Sequence, residues 1–425
     1  MISRIIDIID KCGIEVWRIT ETKSETAELY FVKKALDIPR KKQLTRYRVD
    51  VFRDMEKDGK KLRAMTNAIL APGMSDADME KRIRDAYFAA NFVGNPWFEL
   101  PEPEKEAHLE CDSDLASLSP EEAAMKLADG LFSVDTEKDA FLNSVEIFVT
   151  KSTTRIVASN GLDVCFDKCK AEGEIVAQCV IPKDVEQFRS FEYDTLNIEG
   201  IKERALGAIR DVRARASSTQ PPKGGEYDII LTGEHIGTIL EFYGARSSAS
   251  MIFPGYSQWE QDMNVQGEDI KGEKLDLSLL SSDPFSSEGI RMIKRELISG
   301  GVLKLIHGDA RSCYYLGMKP TGYYNKVSCS NGTVPYSELC TEGVLEPVSF
   351  SDFQMDVMDG HFKGEIRLAL LHHADGTVEY LSGGSVNGSL TDAQNALVFS
   401  TERYADSSYE GPLAVKIPKV AVAGI

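Results

Sequence analysis

The 425-residue chain is longer than one ordinary hydrophobic core requires, and its 42% hydrophobic and 27% charged residues are the balance of a globular protein rather than a disordered or membrane-spanning one. Lys and Arg total 49 and Asp and Glu 67, a net charge of −18 that opposes nucleic-acid binding unless basic residues are concentrated in one patch. No apolar run approaches the roughly 18 residues that a spanning helix needs, so a membrane role is not expected.

The chain opens with Ile2, Ile5, Ile6 and Ile9 at helical spacing, interrupted by Asp7 and Asp10. A secretion leader needs a basic start and an unbroken apolar core, so this segment is expected to be a mature amphipathic helix in a cytoplasmic protein. Segments 14–20, 27–32, 44–52 and 61–70 alternate as strands, with Asp58-Gly59 as the turn between the last two. The basic run Pro39-Arg40-Lys41-Lys42, with Arg46 and Arg48, alternates with Tyr47, Val49 and Val51, the pattern of a solvated strand face rather than a nucleic-acid patch.

Ser75 is placed to cap a helix whose apolar face holds Met79, Ile83, Ala86 or Tyr87, and Ala90. A Pro- and Glu-rich connector, 95–106, is expected to run extended over the surface. Ser119-Pro120-Glu121-Glu122 then has the form of a capping box, starting a helix that carries Ala124, Leu127, Ala128 and Leu131. Val145, Ile147 and Val149 return the pattern to strands, Asn160-Gly161 marks a hairpin, and 174–181 forms a further strand. Residues 197–217 form a long amphipathic helix with Ile201, Ala205, Ile209 and Val212 inward.

Ser217 to Gly225, rich in Ser, Pro and Gly, is the clearest break in the chain. It divides an N-terminal α/β domain, 1–222, from a β-rich C-terminal domain, 223–425. The overall class is α+β. The second domain opens with a buried strand, 227–231, and a helix from Glu234 to Tyr243; another helix is predicted over 286–299. From Gly301 onward short strands are punctuated by Asp359-Gly360, Asp375-Gly376 and Gly383-Gly384, the pattern of a barrel or sandwich.

The residues that could carry chemistry are few. Eight cysteines are scattered without a leader, so reduced thiols are expected. Cys165 and Cys169 lie four residues apart on a strand, about 13 Å, too far to share one zinc. Cys313 sits near Arg311 but is expected to be a buried strand thiol rather than a nucleophile. His372 and His373 are adjacent on a strand and face opposite ways. A metal site built from His235, His307 and His361 is an alternative to be tested against the expectation that His235 is a surface or capping residue. There is no Gly-x-Ser-x-Gly elbow and no phosphate-binding glycine loop.

The stretch from Phe350-Ser351-Asp352-Phe353 through Asp359-Gly360-His361-Phe362-Lys363-Gly364 is similar to the TldD/PmbA family of zinc-protease-related proteins. So are the turn Ser382-Gly383-Gly384-Ser385-Val386-Asn387-Gly388 and the ending Val420-Ala421-Val422-Ala423-Gly424. The likeness extends in element order from about Gln43 to the end; the first forty residues match poorly. Catalytic members of that family carry His-Glu-x-x-x-His on the helix after the break, with a late Cys as third zinc ligand. Here that helix reads Gly233-Glu234-His235-Ile236-Gly237-Thr238-Ile239-Leu240-Glu241: the Glu precedes the His, Leu240 stands where the second His is required, and no cysteine follows Cys340. The resemblance therefore implies a TldE/PmbA-type subunit with no zinc of its own, its degenerate site marked by Glu234, His235 and Glu241. It implies a TldD-like catalytic subunit as partner, or pairing with itself as a homodimer, with zinc held by the catalytic partner and extended or unfolded peptides as substrate. An independent metallopeptidase with a relocated site, and a regulatory protein-binding module of the DNA gyrase modulator type, are the alternatives.

Overall fold

The structure is a computed structural model that describes residues 1–425. Helix α1 (Ile2–Lys11) leads into three long strands, β1 (Val16–Val32), β2 (Ala35–Lys57) and β3 (Lys60–Leu70), then helix α2 (Asp76–Ala89). The short strands β4 (Asn95–Pro96) and β5 (Lys105–Leu109) belong to the Pro-rich connector, so that segment is partly paired rather than simply draped. Helix α3 (Pro120–Ser133), strands β6 (Ala140–Ala158), β7 (Asp163–Cys179) and β8 (Val185–Tyr193), and helix α4 (Ile198–Ser217) complete the first half.

These eight strands form one sheet in the order β4-β3-β2-β1-β6-β7-β5, with β8 also on β7. The predicted turns are where the spacing put them: Asp58 and Gly59 both have positive φ (52° and 73°), the geometry a two-residue hairpin requires, and Gly161 (96°) turns β6 into β7. The predicted strand pairs at 14–32 and 44–52 are the cores of two much longer strands. The middle of β1 is polar and half-exposed and the first part of β2, residues 35–44, is exposed, so hydrophobic alternation fades there although the ladder continues. The basic run 40–42 lies exposed on β2; Lys41 pairs with Glu25 and Glu121, and Lys42 with Glu28.

Both predicted caps form. Ser75 accepts from Asp78 N, and Ser119 and Glu122 make the reciprocal capping box at α3. Helices α1 and α2 bury Ile5, Ile8, Ile9, Met79 and Ile83 against β1–β3, while α3 and α4 cover β6 and β7 with Leu127, Leu131, Ile201, Ala205 and Val212.

Beyond the break lie β9 (Gly225–Thr232), α5 (Glu234–Arg246), α6 (Ala249–Ile252), β10 (Leu277–Leu280), β11 (Arg295–Ser299) and β12 (Val302–Leu303). Helix α7 (Ala310–Tyr315), β13 (Lys326–Cys329), α8 (Tyr336–Leu339), β14 (Leu345–Met355), β15 (His361–His372), β16 (Val378–Leu381) and β17 (Ser385–Ser389) follow. The chain ends with α9 (Leu390–Ala393), β18 (Val398–Phe399), β19 (Arg403–Ala405), β20 (Tyr409–Pro412) and β21 (Ala414–Ala423). Strands β14-β9-β21-β17-β15 pair in turn and β15 pairs back onto β14, so five strands close into a barrel, with β16 and β18 flanking it. A second sheet, β12-β11-β10-β13-β20-β19, packs beside it, and a core of 34 buried residues joins the two to α5. The α+β class and the barrel-like second half are as read from the sequence.

The family-like glycines have structural work there. Gly383 and Gly384 have positive φ, and a Cβ on Gly384 would meet the Ala423 carbonyl oxygen at 2.3 Å, so this turn lets the last strand seat against β17. The helix predicted over 286–299 does not exist: the chain turns at Gly289 (φ 78°), and only 295–299 is regular, as strand β11. Cys313 lies in helix α7, not a strand, and is fully buried; burial pushes its thiol up to about 12, so the nearby Arg311 does not activate it. No helix is long and apolar enough to cross a membrane.

Candidate functional site: the cleft at the start of α5

A cleft of about 1040 Å³ lies between the first-half sheet with α4 and the start of α5. Its walls come from β7, β8 and α4 on one side and from Thr232–His235, Val348 and the 403–408 segment on the other. Gly233 makes the sharp entry into α5: its φ is 58°, and a Cβ there would meet the Tyr404 ring at 3.3 Å.

Arg204 on α4 holds the cleft together. It donates to the Ser190 carbonyl on β8 (2.7 Å), pairs with the Glu234 carboxylate, and reaches the Tyr404 hydroxyl (3.4 Å). Burial alone would raise the Glu234 carboxyl, but the adjacent Arg204 guanidinium outweighs it and holds that carboxyl low. Arg189 makes a second bridge, pairing with Asp211 at 2.8 Å and donating to the Val348 carbonyl at 3.2 Å; both its side chain and that of Asp211 are largely buried. On the far lip, Asp406 accepts from Tyr404 Oη and from the backbone N–H groups of Ser408 and Tyr409, fixing the 403–408 turn.

His235 is neither a surface nor a capping residue. It is half-buried with its ring edge-on to Phe350 and Phe353, at 4.9 and 5.2 Å between centroids. Burial pushes its pKa down to about 4, despite the opposing charge of Glu234, so the ring is neutral at pH 7. The two phenylalanines are those of the family-like stretch. They stack over Gly364, where a Cβ would meet Phe350 at 2.6 Å, so the motif builds an aromatic seat for this histidine.

The other candidates fall elsewhere. Glu241, two turns along α5, is exposed and does not line the cleft. His307 is buried, with Nε2 2.8 Å from the Gly244 carbonyl oxygen, and His361 is exposed beside Asp359, so His235, His307 and His361 do not converge on one ion. At the position of the family's second zinc-binding histidine, Leu240 is fully buried in the core. With Glu234 committed to Arg204 and the one histidine packed edge-on against the Phe350–Phe353 stack, the residues here do not fit the family's zinc. Arg189, Arg204 and Asp406 were not singled out in the sequence; no local spacing links positions that only the fold brings together.

Residues 224–425 match the PmbA/TldA metallopeptidase C-terminal domain, which places this half in a metallopeptidase-related class. By that domain, the second half of the chain is similar to the TldD/PmbA family. A metalloprotease of Methanothermobacter thermautotrophicus is 25% identical over 243 residues, covering 53% of this chain and 48% of that protein; the chain thus matches about half the length of this relative. TldE from Thermococcus kodakarensis superposes with a TM-score of 0.77 at 18% identity, over 99% of this chain and 100% of that one. A Thermotoga maritima protein described as a candidate modulator of DNA gyrase gives 0.76 at 16% identity, over 99% of both chains. At these identities the two structures show a common fold.

Proposed function

We propose that this chain is the non-catalytic, TldE/PmbA-like subunit of a zinc metallopeptidase assembly, shaping part of the chamber and groove that receive unfolded or extended peptides. The observation that carries the reading is at α5: the helix that bears zinc ligands in catalytic relatives here presents Leu240 to the core and an Arg204-bound Glu234 to the cleft. A partner of the TldD type, carrying His-Glu-x-x-x-His, would supply zinc and the attacking water. The polar wall of the cleft suits holding a peptide more than cutting one. On the edge strand β8 the carbonyls of Glu186 and Ser190 already accept from Arg215 and Arg204, so contacts along that wall would run through side chains rather than through an added strand.

The test is reconstitution. The chain alone, and the chain co-expressed with a motif-bearing family member, are assayed on casein and short peptides. The expected result is co-purification with that member and chelator-sensitive cleavage by the pair only. Chelator-sensitive cleavage by the isolated chain would instead establish an independent peptidase. Capture of gyrase without any family partner would favour a regulatory role.

A further inference from the structure

The geometry points to a metal-binding site on the outer face of the barrel, away from α5, formed by Cys340, Glu346 and His372 and suited to a single zinc-like divalent ion. One ligand atom from each residue lies within 4.8 Å of the other two. Glu346 and His372 are buried, Cys340 half-buried, and His372 Nε2 stands 2.9 Å from Glu346 Oε2. Thiolate, imidazole and carboxylate together are a zinc donor set, with bonds of about 2.0–2.3 Å that place ligand atoms roughly 3.3–3.8 Å apart. The longest separation therefore needs to shrink by about 1.5 Å at most.

The positions are set by rigid backbone. His372 N donates to Val344 O (3.0 Å) and Gly343 N to His372 O (2.9 Å), extending the β14–β15 ladder on which Glu346 pairs with Leu370. Helix α8 brings Cys340 to its C-terminal end, anchored by Leu339, which packs with Ile230, Val344 and Ala414. Tyr336 orients the carboxylate, its hydroxyl lying 2.8 and 2.7 Å from the two oxygens of Glu346. The phenol or a water completes the fourth position. A 2+ ion would be neutralised by the Glu346 carboxylate and the Cys340 thiolate, which suits a site with little water around it.

Sequence spacing hides the cluster, because Cys340 and His372 are 32 positions apart and only the β14–β15 pairing brings them together. The site is independent of the subunit reading, since it touches neither α5 nor the cleft. Zinc found in the purified chain would not by itself revive a catalytic role.

The full chain is stripped with chelator and titrated with Co²⁺, following the thiolate-to-metal charge-transfer band in the near ultraviolet. The expected result is saturation at one equivalent, displacement by Zn²⁺, and loss of the band in Cys340→Ala. Zn²⁺ affinity should fall at least about tenfold in His372→Gln and in Tyr336→Phe. Circular dichroism of each apo variant verifies its fold. No saturable Co²⁺ binding, or binding retained in both Cys340→Ala and His372→Gln, overturns the assignment and leaves Glu346, His372 and Tyr336 as a satisfied buried network.

Discussion

At Glu234 two effects of opposite sign meet, and their magnitudes decide what a substitution does. Fully buried ion pairs lose about 3–5 kcal/mol when one partner is removed, while exposed pairs are worth about 0–1 kcal/mol. The Arg204 and Glu234 side chains are 21% and 35% exposed, between those limits. Glu234→Gln is therefore expected to lower stability by about 1–2 kcal/mol in urea unfolding, and Arg204→Met with Glu234→Gln to recover part of it by removing the orphaned cation. His235 makes a pH prediction. Its folded pKa of about 4 lies below the ordinary 6.5, so the unfolded chain binds the extra proton first. This contribution to stability is whole above pH 6.5 and drains away as pH falls toward 4. From pH 7.5 to 5 the wild type should lose up to about 2 kcal/mol more than His235→Gln, from about 1.4 kcal/mol per unit; equal losses would mean the ring is not desolvated. Glu234 and His235 were legible because they follow a sharp chain break. Their partners Arg189 and Arg204 were not, being ordinary outward positions on a strand and on an amphipathic helix.

Elements were most legible where a local rule and the tertiary environment agree. The capping box at Ser119 and the hairpin at Asp58-Gly59 need no distant partner to form. Segment 286–299 shows the opposite case. Ile290, Ile293 and Leu297 sit at helical spacing, yet the Gly289 turn is held against Leu162, and Arg291 is drawn to Glu104 and Glu106 in the first half. Contacts 127 or more residues away override the local period, and none is visible in a window of a dozen residues. Helix α5 gives an element-scale prediction. Gly237 lies inside it, where alanine would ordinarily add about 1 kcal/mol of helix stability. A Cβ there would meet Tyr409 Cβ at 2.8 Å, and that atom is next to backbone and cannot swing away. Overpacking costs about 1–3 kcal/mol, so Gly237→Ala should be net destabilising by up to about 2 kcal/mol, with its thermal midpoint below wild type. A raised midpoint would show that β20 can yield.

Over the whole molecule, the chain break at 217–225 separates the sheets cleanly: every strand of the eight-stranded sheet precedes it and every strand of the other two follows it. The packing does not respect the break. Phe285 in the second half is 2% exposed and completes an apolar cluster with Ile156, Leu162, Val164 and Phe166 of the first, its ring 5.9 Å from that of Phe166. Around it the Lys168–Asp283 and Arg291–Glu104 pairs cross the same seam, and Tyr315 donates to the Pro96 carbonyl. Surface pairs of this kind are each worth about 1 kcal/mol or less, so the buried Phe285 plug is a stronger coupling than any of these polar pairs. Truncating a buried Phe to Ala costs about 3–5 kcal/mol, which is a large share of the stability of an ordinary domain. Wild type should therefore unfold in urea as one transition by both tryptophan fluorescence and far-ultraviolet circular dichroism. Trp17 reports the first half and Trp259 the second, while Trp97, edge-on to Tyr314 at 5.7 Å, reports the seam itself. Phe285→Ala should split the two probes, because each half keeps its own core of buried residues while losing its grip on the other. Coincident probes in the variant would mean that the remaining cross-contacts, the polar bridges at Arg189 and Arg204 and the Trp97–Tyr314 and Phe98–Tyr315 ring pairs, are enough to make the chain a single cooperative unit.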